Sequence, residues 1–246
     1  MKDAVSEAAL LIKKARTCTA FTGAGISVES GIAPFRGEGG IWGKYDPKYL
    51  ELSYFLAHPE ESWVVIKKLF FDHFVQAEPN KAHKVLARLE AADLLQAIIT
   101  QNIDNLHHRA GSKQVIEFHG NSRRLVCLEC RYATDIRDDL WQSLPPRCPQ
   151  CTAVLKPDFV FFGESIPSEA FSNSFVYAVK SDVMLVIGST GEVYPAASVP
   201  EHARQSGAKI IEINPQPSEF TGRITDLFLQ GKATEVLSAL EKAIFT

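Results

Sequence analysis

Two pairs of cysteines, Cys127-Leu128-Glu129-Cys130 and Cys148-Pro149-Gln150-Cys151, are separated by the seventeen residues from Arg131 to Arg147 in a chain of 246 residues. Two Cys-x-x-Cys knuckles at this spacing can close around one tetrahedral Zn²⁺. All four ligands would be thiolates with no open position for water, so the expected metal is structural rather than catalytic. A redox role and a nucleic-acid-binding ribbon are the alternatives, and the flanking Arg123, Arg124 and Arg131 are too few to favour the ribbon. Such a staple divides the chain into a small metal-bound lobe and a larger remainder that must carry any chemistry. Cys18, in an apolar run, reads as a core residue.

With 46% hydrophobic and 22% charged positions, the chain can bury a sizeable core, and one large domain with a smaller insertion is expected. A net charge of −3 argues against a general nucleic-acid or membrane-surface binder, because both kinds of affinity rest on an excess of Lys and Arg. The start, Met1-Lys2-Asp3-Ala4, lacks the basic-then-apolar order of a signal peptide, and no apolar run is long enough to span a bilayer. The expectation is a cytoplasmic protein, and in that reducing compartment paired cysteines suit a metal better than a disulfide.

Short apolar runs at 17–21, 96–100, 114–118, 183–187, 209–213 and 224–229 read as buried strands of a parallel sheet. Helical patterns at 3–16, 81–91, 104–110, 196–206 and 233–244 alternate with them, which predicts an α/β fold with a doubly wound, Rossmann-like parallel sheet. Residues 1–42, 80–126 and 157–246 are assigned to that domain. The aromatic-rich, helical stretch 43–79 and the knuckle segment 127–156 do not fit the alternation and are expected to form a second, smaller zinc-binding and helical lobe.

Polar clusters end several of these strands, where an open α/β sheet holds its ligands. Phe21-Thr22-Gly23-Ala24-Gly25-Ile26-Ser27 runs into Gly-x-Gly, suited to a pyrophosphate at a helix N-terminus or to a tight turn that binds nothing. Val28 stands where the dinucleotide fingerprint wants Gly or Ala, and a Gly- and Pro-rich segment comes next, which disfavours an ordinary dehydrogenase. Thr100-Gln101-Asn102-Ile103-Asp104 offers a cluster of polar side chains, either aimed at a ligand or capping the next helix. Among seven histidines, His119 is the one followed by glycine at a strand end, where an imidazole can act as a base near neutral pH. Gly188-Ser189-Thr190 and Asn214 end two further strands and suit ribose or phosphate oxygens, or simple turns.

Taken in order, these motifs resemble the sirtuin family of NAD-dependent protein deacylases, of bacterial or archaeal type. The matching residues are Gly23-Ala24-Gly25-Ile26-Ser27, Gly31-Ile32 with Phe35-Arg36, Gln101-Asn102-Ile103-Asp104, His119-Gly120, the four cysteines, Val160-Phe161-Phe162-Gly163-Glu164, Gly188-Ser189-Thr190, Asn214 and Gly231-Lys232-Ala233. Ala33-Pro34 replaces the family's usual pair between Gly-Ile and Phe-Arg, so no role is carried over to those two positions.

The resemblance implies removal of acyl groups, acetyl foremost, from protein lysines, with NAD as a consumed co-substrate and one structural Zn²⁺. It places NAD against Gly23, Ala24, Gly25, Ser27, Phe35, Arg36, Gln101, Asn102, Ile103, Asp104, Gly188, Ser189, Thr190, Asn214 and Ala233. His119 becomes the base that takes a proton from the ribose hydroxyl, and Asn102 assists at the ribose. The acetyl-lysine peptide is expected as a β-strand between the lobes, beside Val160, Phe161, Phe162, Gly163 and Glu164 on one side and Glu192, Val193 and Tyr194 on the other. A subgroup that takes succinyl or malonyl groups carries a Tyr-x-x-Arg pair, which by counting back from Pro79-Asn80 falls here at Lys67 and Phe70. Neither Tyr nor Arg occurs from Trp63 to Gln76, so neutral acyl groups are expected. An NAD-dependent ADP-ribosyltransferase and a non-catalytic NAD-sensing module remain alternatives.

Overall fold

The computed structural model describes residues 2–35, 39–72 and 77–246. Helix α1 (Lys2–Lys14) leads into β1 (Cys18–Thr22), and two short helices, α2 (Leu52–Ala57) and α3 (Pro59–Ile66), come after a looped stretch. Then come α4 (Lys81–Ala91), β2 (Ala97–Thr100), α5 (Leu106–Arg109) and β3 (Val115–Glu117). Strands β4 (Gly120–Cys127), β5 (Ala133–Asp135) and β6 (Leu155–Phe159) are next, and the chain ends with α6 (Ser168–Lys180), β7 (Val183–Ile187), α7 (Ser198–Gln205), β8 (Lys209–Asn214), β9 (Leu227–Gln230) and α8 (Ala233–Phe245).

Six strands form one parallel sheet in the order β3-β2-β1-β7-β8-β9. Strands β1, β2 and β7 are buried at every residue, as continuous apolar runs covered on both faces must be. One face carries α1, α4 and α8, whose stripes Val5, Ile12, Leu86 and Leu240 meet Ile98, Leu185 and Ile211. The other carries α6 and α7, with Ala178, Val199 and Ala203 against Phe21, Met184 and Ile210. Helix α4 starts where Asn80 Oδ1 accepts the N–H groups of Ala82 and His83, the capping geometry that exposed first-turn amides require.

Helix α6 has no counterpart among the sequence expectations. Its inward residues are the small Ser174 and Ala178, while Phe171, Val176 and Val179 are exposed, so its apolar pattern does not trace the buried stripe.

The remaining elements share a second core. An antiparallel sheet, β5-β4-β6, packs with α2, α3 and a π-turn at Lys67–Phe71 around Phe55, Trp63, Phe70, Phe71, Phe159 and Phe161. Strands β4 and β6 run through the expected junctions at 126–127 and 156–157, so this sheet is continuous with segments assigned to the larger domain. Gly120 makes the crossing possible: it sits at φ +73°, and a Cβ there would lie 2.3 Å from the Asp158 carbonyl oxygen. All three tryptophans, Trp42, Trp63 and Trp141, belong to this core, with Trp63 Nε1 donating to Leu155 O at 2.9 Å.

Candidate active site

The order of the parallel sheet reverses between β1 and β7, and a ligand crevice is expected just outside the carboxyl ends of strands at such a point. A cavity of about 480 Å³ opens there, walled by the residues that come after β1, β2, β3, β7 and β8. Its volume is in the range of small-molecule sites.

Gly23, Ala24 and Gly25 form one wall. The Gly23 N–H donates to Ile187 O at 3.0 Å and the Gly25 N–H to Gly188 O at 2.9 Å. A Cβ on Gly25 would meet Gly188 Cα at 2.6 Å, and one on Gly188, itself at φ +63°, would meet Ile26 N at 2.4 Å. These glycines allow two strand-end loops to touch, and the Gly25 amide has no proton left for a phosphate. From Ala24 to Ser30 the chain winds as a 3₁₀ turn rather than an α-helix.

Beyond β2, Gln101 Nε2 donates to Ser189 Oγ at 3.0 Å, and Asn102 Nδ2 donates to Gly23 O at 3.1 Å and to Ser27 Oγ at 3.2 Å. Gln101, Asn102 and Ile103 line the cavity. Ser27 and Asp104 sit behind that wall, joined by a 2.6 Å bond from Ser27 Oγ to Asp104 Oδ2. Asp104 Oδ1 also accepts the Leu106 N–H at the head of α5. Burial pushes the Asp104 carboxyl upward, against the pull of these two hydrogen bonds.

His119 stands at the end of β3 with its ring on the cavity. Its Nδ1 lies 3.0 Å from the Gln101 carbonyl oxygen, which can only accept, so Nδ1 carries the proton and Nε2 keeps a free lone pair. Burial holds its pKa below the ordinary imidazole value of 6.5, and the bond to Gln101 only partly opposes this. The ring is therefore neutral and basic at cellular pH.

Gly188, Ser189, Thr190 and Asn214 line the cavity after β7 and β8, with Asn214 Nδ2 donating to Ser189 O at 3.0 Å. Ala233, at the head of α8, is buried away from it. The opposite wall is aromatic: Phe35, Trp42 and Phe70 meet Phe159, Phe161 and Phe162, with Phe35 5.5 Å from Trp42 and 6.3 Å from Phe70 between ring centres. Val160 to Glu164 border the cavity, as do Val193 and Tyr194, whereas Glu192 does not. Val160 N–H donates to His119 O, and Phe162 uses both its main-chain groups on Leu50 and Leu52. Arg36 lies outside the described residues.

A family model described as Sir2 matches residues 23–195. A protein of Pyrococcus furiosus named NAD-dependent protein deacylase is 44% identical over 251 residues, covering 98% of each chain. One of Aeropyrum pernix with the same name is 42% identical over 243 residues, again with 98% of each covered. The chain belongs to the Sir2 family. A solved Sir2 structure with a p53 peptide and NAD⁺ superposes at a TM-score of 0.89 with 37% identity over 96% of each chain. A Sir2 histidine variant with deacetylated p53 peptide and 3′-O-acetyl-ADP-ribose gives 0.91 at 38% identity, also over 96% of each.

The cysteines of this Sir2 chain meet as their spacing predicts. Their four Sγ atoms lie within 4.8 Å of one another, compatible with the roughly 3.8 Å edge of a ZnS₄ tetrahedron. Each knuckle turns through a non-glycine residue in the left-handed region, Arg131 at φ +63° and Thr152 at φ +64°. That turn lets the N–H of Cys127 reach Tyr132 O and the N–H of Cys148 reach Ala153 O, which shapes the backbone that carries both pairs of thiols. The donor set and its closed geometry fit one structural Zn²⁺.

Several cavity residues escaped the sequence reading. Pro215, Gln216, Pro217 and Ser218 come directly after Asn214, and the strand-end rule that selected Asn214 would have reached them. Trp42, Leu50 and Phe159 carry no such signal, because apolar residues in a lobe core and on a cavity wall look alike in sequence.

Proposed function

We propose that this chain removes neutral acyl groups, acetyl foremost, from protein lysines with NAD as consumed co-substrate, giving nicotinamide, free lysine and O-acyl-ADP-ribose. The observation that carries the reading is the His119 imidazole, proton fixed on Nδ1 by Gln101 O and Nε2 free at the cavity that the ends of β1, β2, β3, β7 and β8 share. NAD bound there supplies a ribose carbon from which nicotinamide departs as the acyl oxygen attacks. His119 Nε2 then takes the proton of the ribose hydroxyl, which attacks the acyl carbon, and one water is taken up as the C–N bond to lysine breaks and the amine leaves with a proton. Gln101 and Asn102, each held by hydrogen bonds, orient the ribose, and Gly188, Ser189 and Asn214 receive the adenosine.

The acylated peptide lies as a strand between a large domain of residues 1–42, 80–126 and 157–246 and a small lobe of 43–79 and 127–156. Relatives solved with a p53 peptide and with a propionylated peptide support a peptide substrate. Because Phe162 is engaged with Leu50 and Leu52, and Phe161 with Glu164 through both its main-chain groups, the pairing edge falls to Gly163. Among the described residues no helix is long and apolar enough to cross a membrane. Thiols arranged for a metal rather than a disulfide support a cytoplasmic location.

Mass spectrometry of NAD plus an acetyl-lysine peptide tests this. Deacylated peptide and O-acetyl-ADP-ribose are expected, with His119→Ala slower by roughly 10²–10⁴-fold while still binding ADP-ribose. ADP-ribose on acceptor protein without deacylation would replace the reading with a transferase. Among the described residues the apolar wall of Phe35, Trp42 and Phe70 offers no cation to an acidic acyl group, so kcat/KM for an acetyl peptide should exceed that for its succinyl counterpart. The reverse order would remove the neutral-acyl assignment.

A further inference from the structure

Beneath the Asn214 end of the cavity lies a buried carboxylate that the reaction does not use. Glu212 has no exposed surface and sits in β8 on the face of Ile210, paired with Val186 of β7 and Phe228 of β9. An apolar residue would serve the sheet there. Its Oε1 accepts from Asn214 Nδ2 at 3.0 Å and Ser218 Oγ at 2.5 Å, and its Oε2 accepts from Thr221 Oγ1 at 2.8 Å and Thr225 Oγ1 at 2.6 Å. Among the described residues no ion pair reaches it. Removing a carboxylate from water is costly, and here four hydrogen bonds to the anion offset that cost.

All four donors belong to one stretch, the end of β8 and the loop after it. That loop presents Pro215, Gln216, Pro217 and Ser218 to the cavity. Asn214 Nδ2 also donates to Ser189 O, and Glu219 N–H to Thr190 O, so the same stretch is tied to the hydroxyl-bearing loop after β7. Thr221 Oγ1 both donates to Glu212 and accepts the Ser218 N–H at 2.9 Å.

We propose that Glu212 is a positioning residue for the adenosine end of NAD: its carboxylate gathers Asn214, Ser218, Thr221 and Thr225 into the wall that receives the nucleoside. This rests on the reading above that places adenosine at Asn214. Glu212 sets the affinity for the dinucleotide and leaves the chemical step, at His119, alone.

Glu212→Gln keeps the shape but exchanges one acceptor oxygen for an N–H₂ donor, stranding one pair of donors. Thr221→Val removes a donor at a residue off the cavity wall and serves should the first variant fail to fold. Titration calorimetry with ADP-ribose and steady-state kinetics on the folded variants are expected to show Kd for ADP-ribose and KM for NAD raised about tenfold in Glu212→Gln, and less in Thr221→Val. The kcat at saturating NAD, the KM for peptide and inhibition by nicotinamide should stay within about twofold. Wild-type ADP-ribose affinity in both variants, with Asn214→Ala weakened, would overturn the inference and leave the adenosine site standing. Wild-type affinity in Asn214→Ala as well would remove both. Nicotinamide inhibition weakened as much as ADP-ribose binding would assign Glu212 a general structural role instead.

Discussion

Whether an imidazole works as a base at a given pH depends on which nitrogen is free and how far its pKa has moved. At His119 the Gln101 carbonyl decides the first, and burial lowers the pKa below 6.5. If His119 is the base, as proposed, the active form is the neutral ring, and activity is expected to fall as pH drops through that depressed pKa. The acidic limb of kcat/KM against pH is therefore expected below 6.5, and a limb well above it would contradict the buried, singly bonded ring. Asp104 shows the converse at the same scale. Its sequence context allowed either capping or ligand contact, and it caps α5 while bracing Ser27 from behind the wall.

Among elements, the segment from β6 to Glu164 is held by one buried cation. Lys156 Nζ, on a side chain only 3% exposed, donates to Pro157 O at 2.8 Å and Phe159 O at 2.6 Å, pairs with Glu164 at 3.0 Å, and lies 4.2 Å from the centre of the Phe161 ring. Glu164 in turn accepts the Phe161 N–H, so this pair closes the turn that the peptide would meet. Lys156→Met is expected to destabilise the fold by about 3 kcal/mol, because it leaves a carboxylate and two carbonyls without their donor. Denaturant unfolding measures that. The variant should also raise the KM for peptide while leaving the Kd for ADP-ribose unchanged, and an unaltered peptide KM would separate this turn from substrate binding. The zinc knuckles act on the same layer: Cys127 and Cys148 are buried in the aromatic core, and Trp141 lies 5.0 Å from Phe71 and 6.1 Å from Trp63. Since every tryptophan is in that core, chelation should change tryptophan emission and abolish deacylation, with ADP-ribose still bound by the parallel sheet. Unchanged emission after confirmed loss of metal would show that the aromatic core stands without it.

For the whole molecule, the six parallel strands were legible because each is a short apolar run that must be covered on both faces, and α4 and α8 because their stripes have helical period. Helix α6 was not, since Phe171, Val176 and Val179 face outward and blur its buried stripe, nor was the antiparallel sheet around the knuckles, whose strands β4 and β5 are half-exposed and polar. The sequence alone determined the order of strand-end motifs, the metal-ligand set and the histidine at position 119, because these rest on residue type and local spacing. Only the tertiary structure decided that the Gly25 amide is taken by Gly188, that Ser27 and Asp104 stand behind the wall, that an aromatic wall faces the polar one, and that Glu212 gathers Asn214, Ser218, Thr221 and Thr225. Each of these depends on groups brought together from distant segments, and a one-dimensional pattern records neither which hydrogen bonds are already filled nor which side of a packed residue meets the cavity.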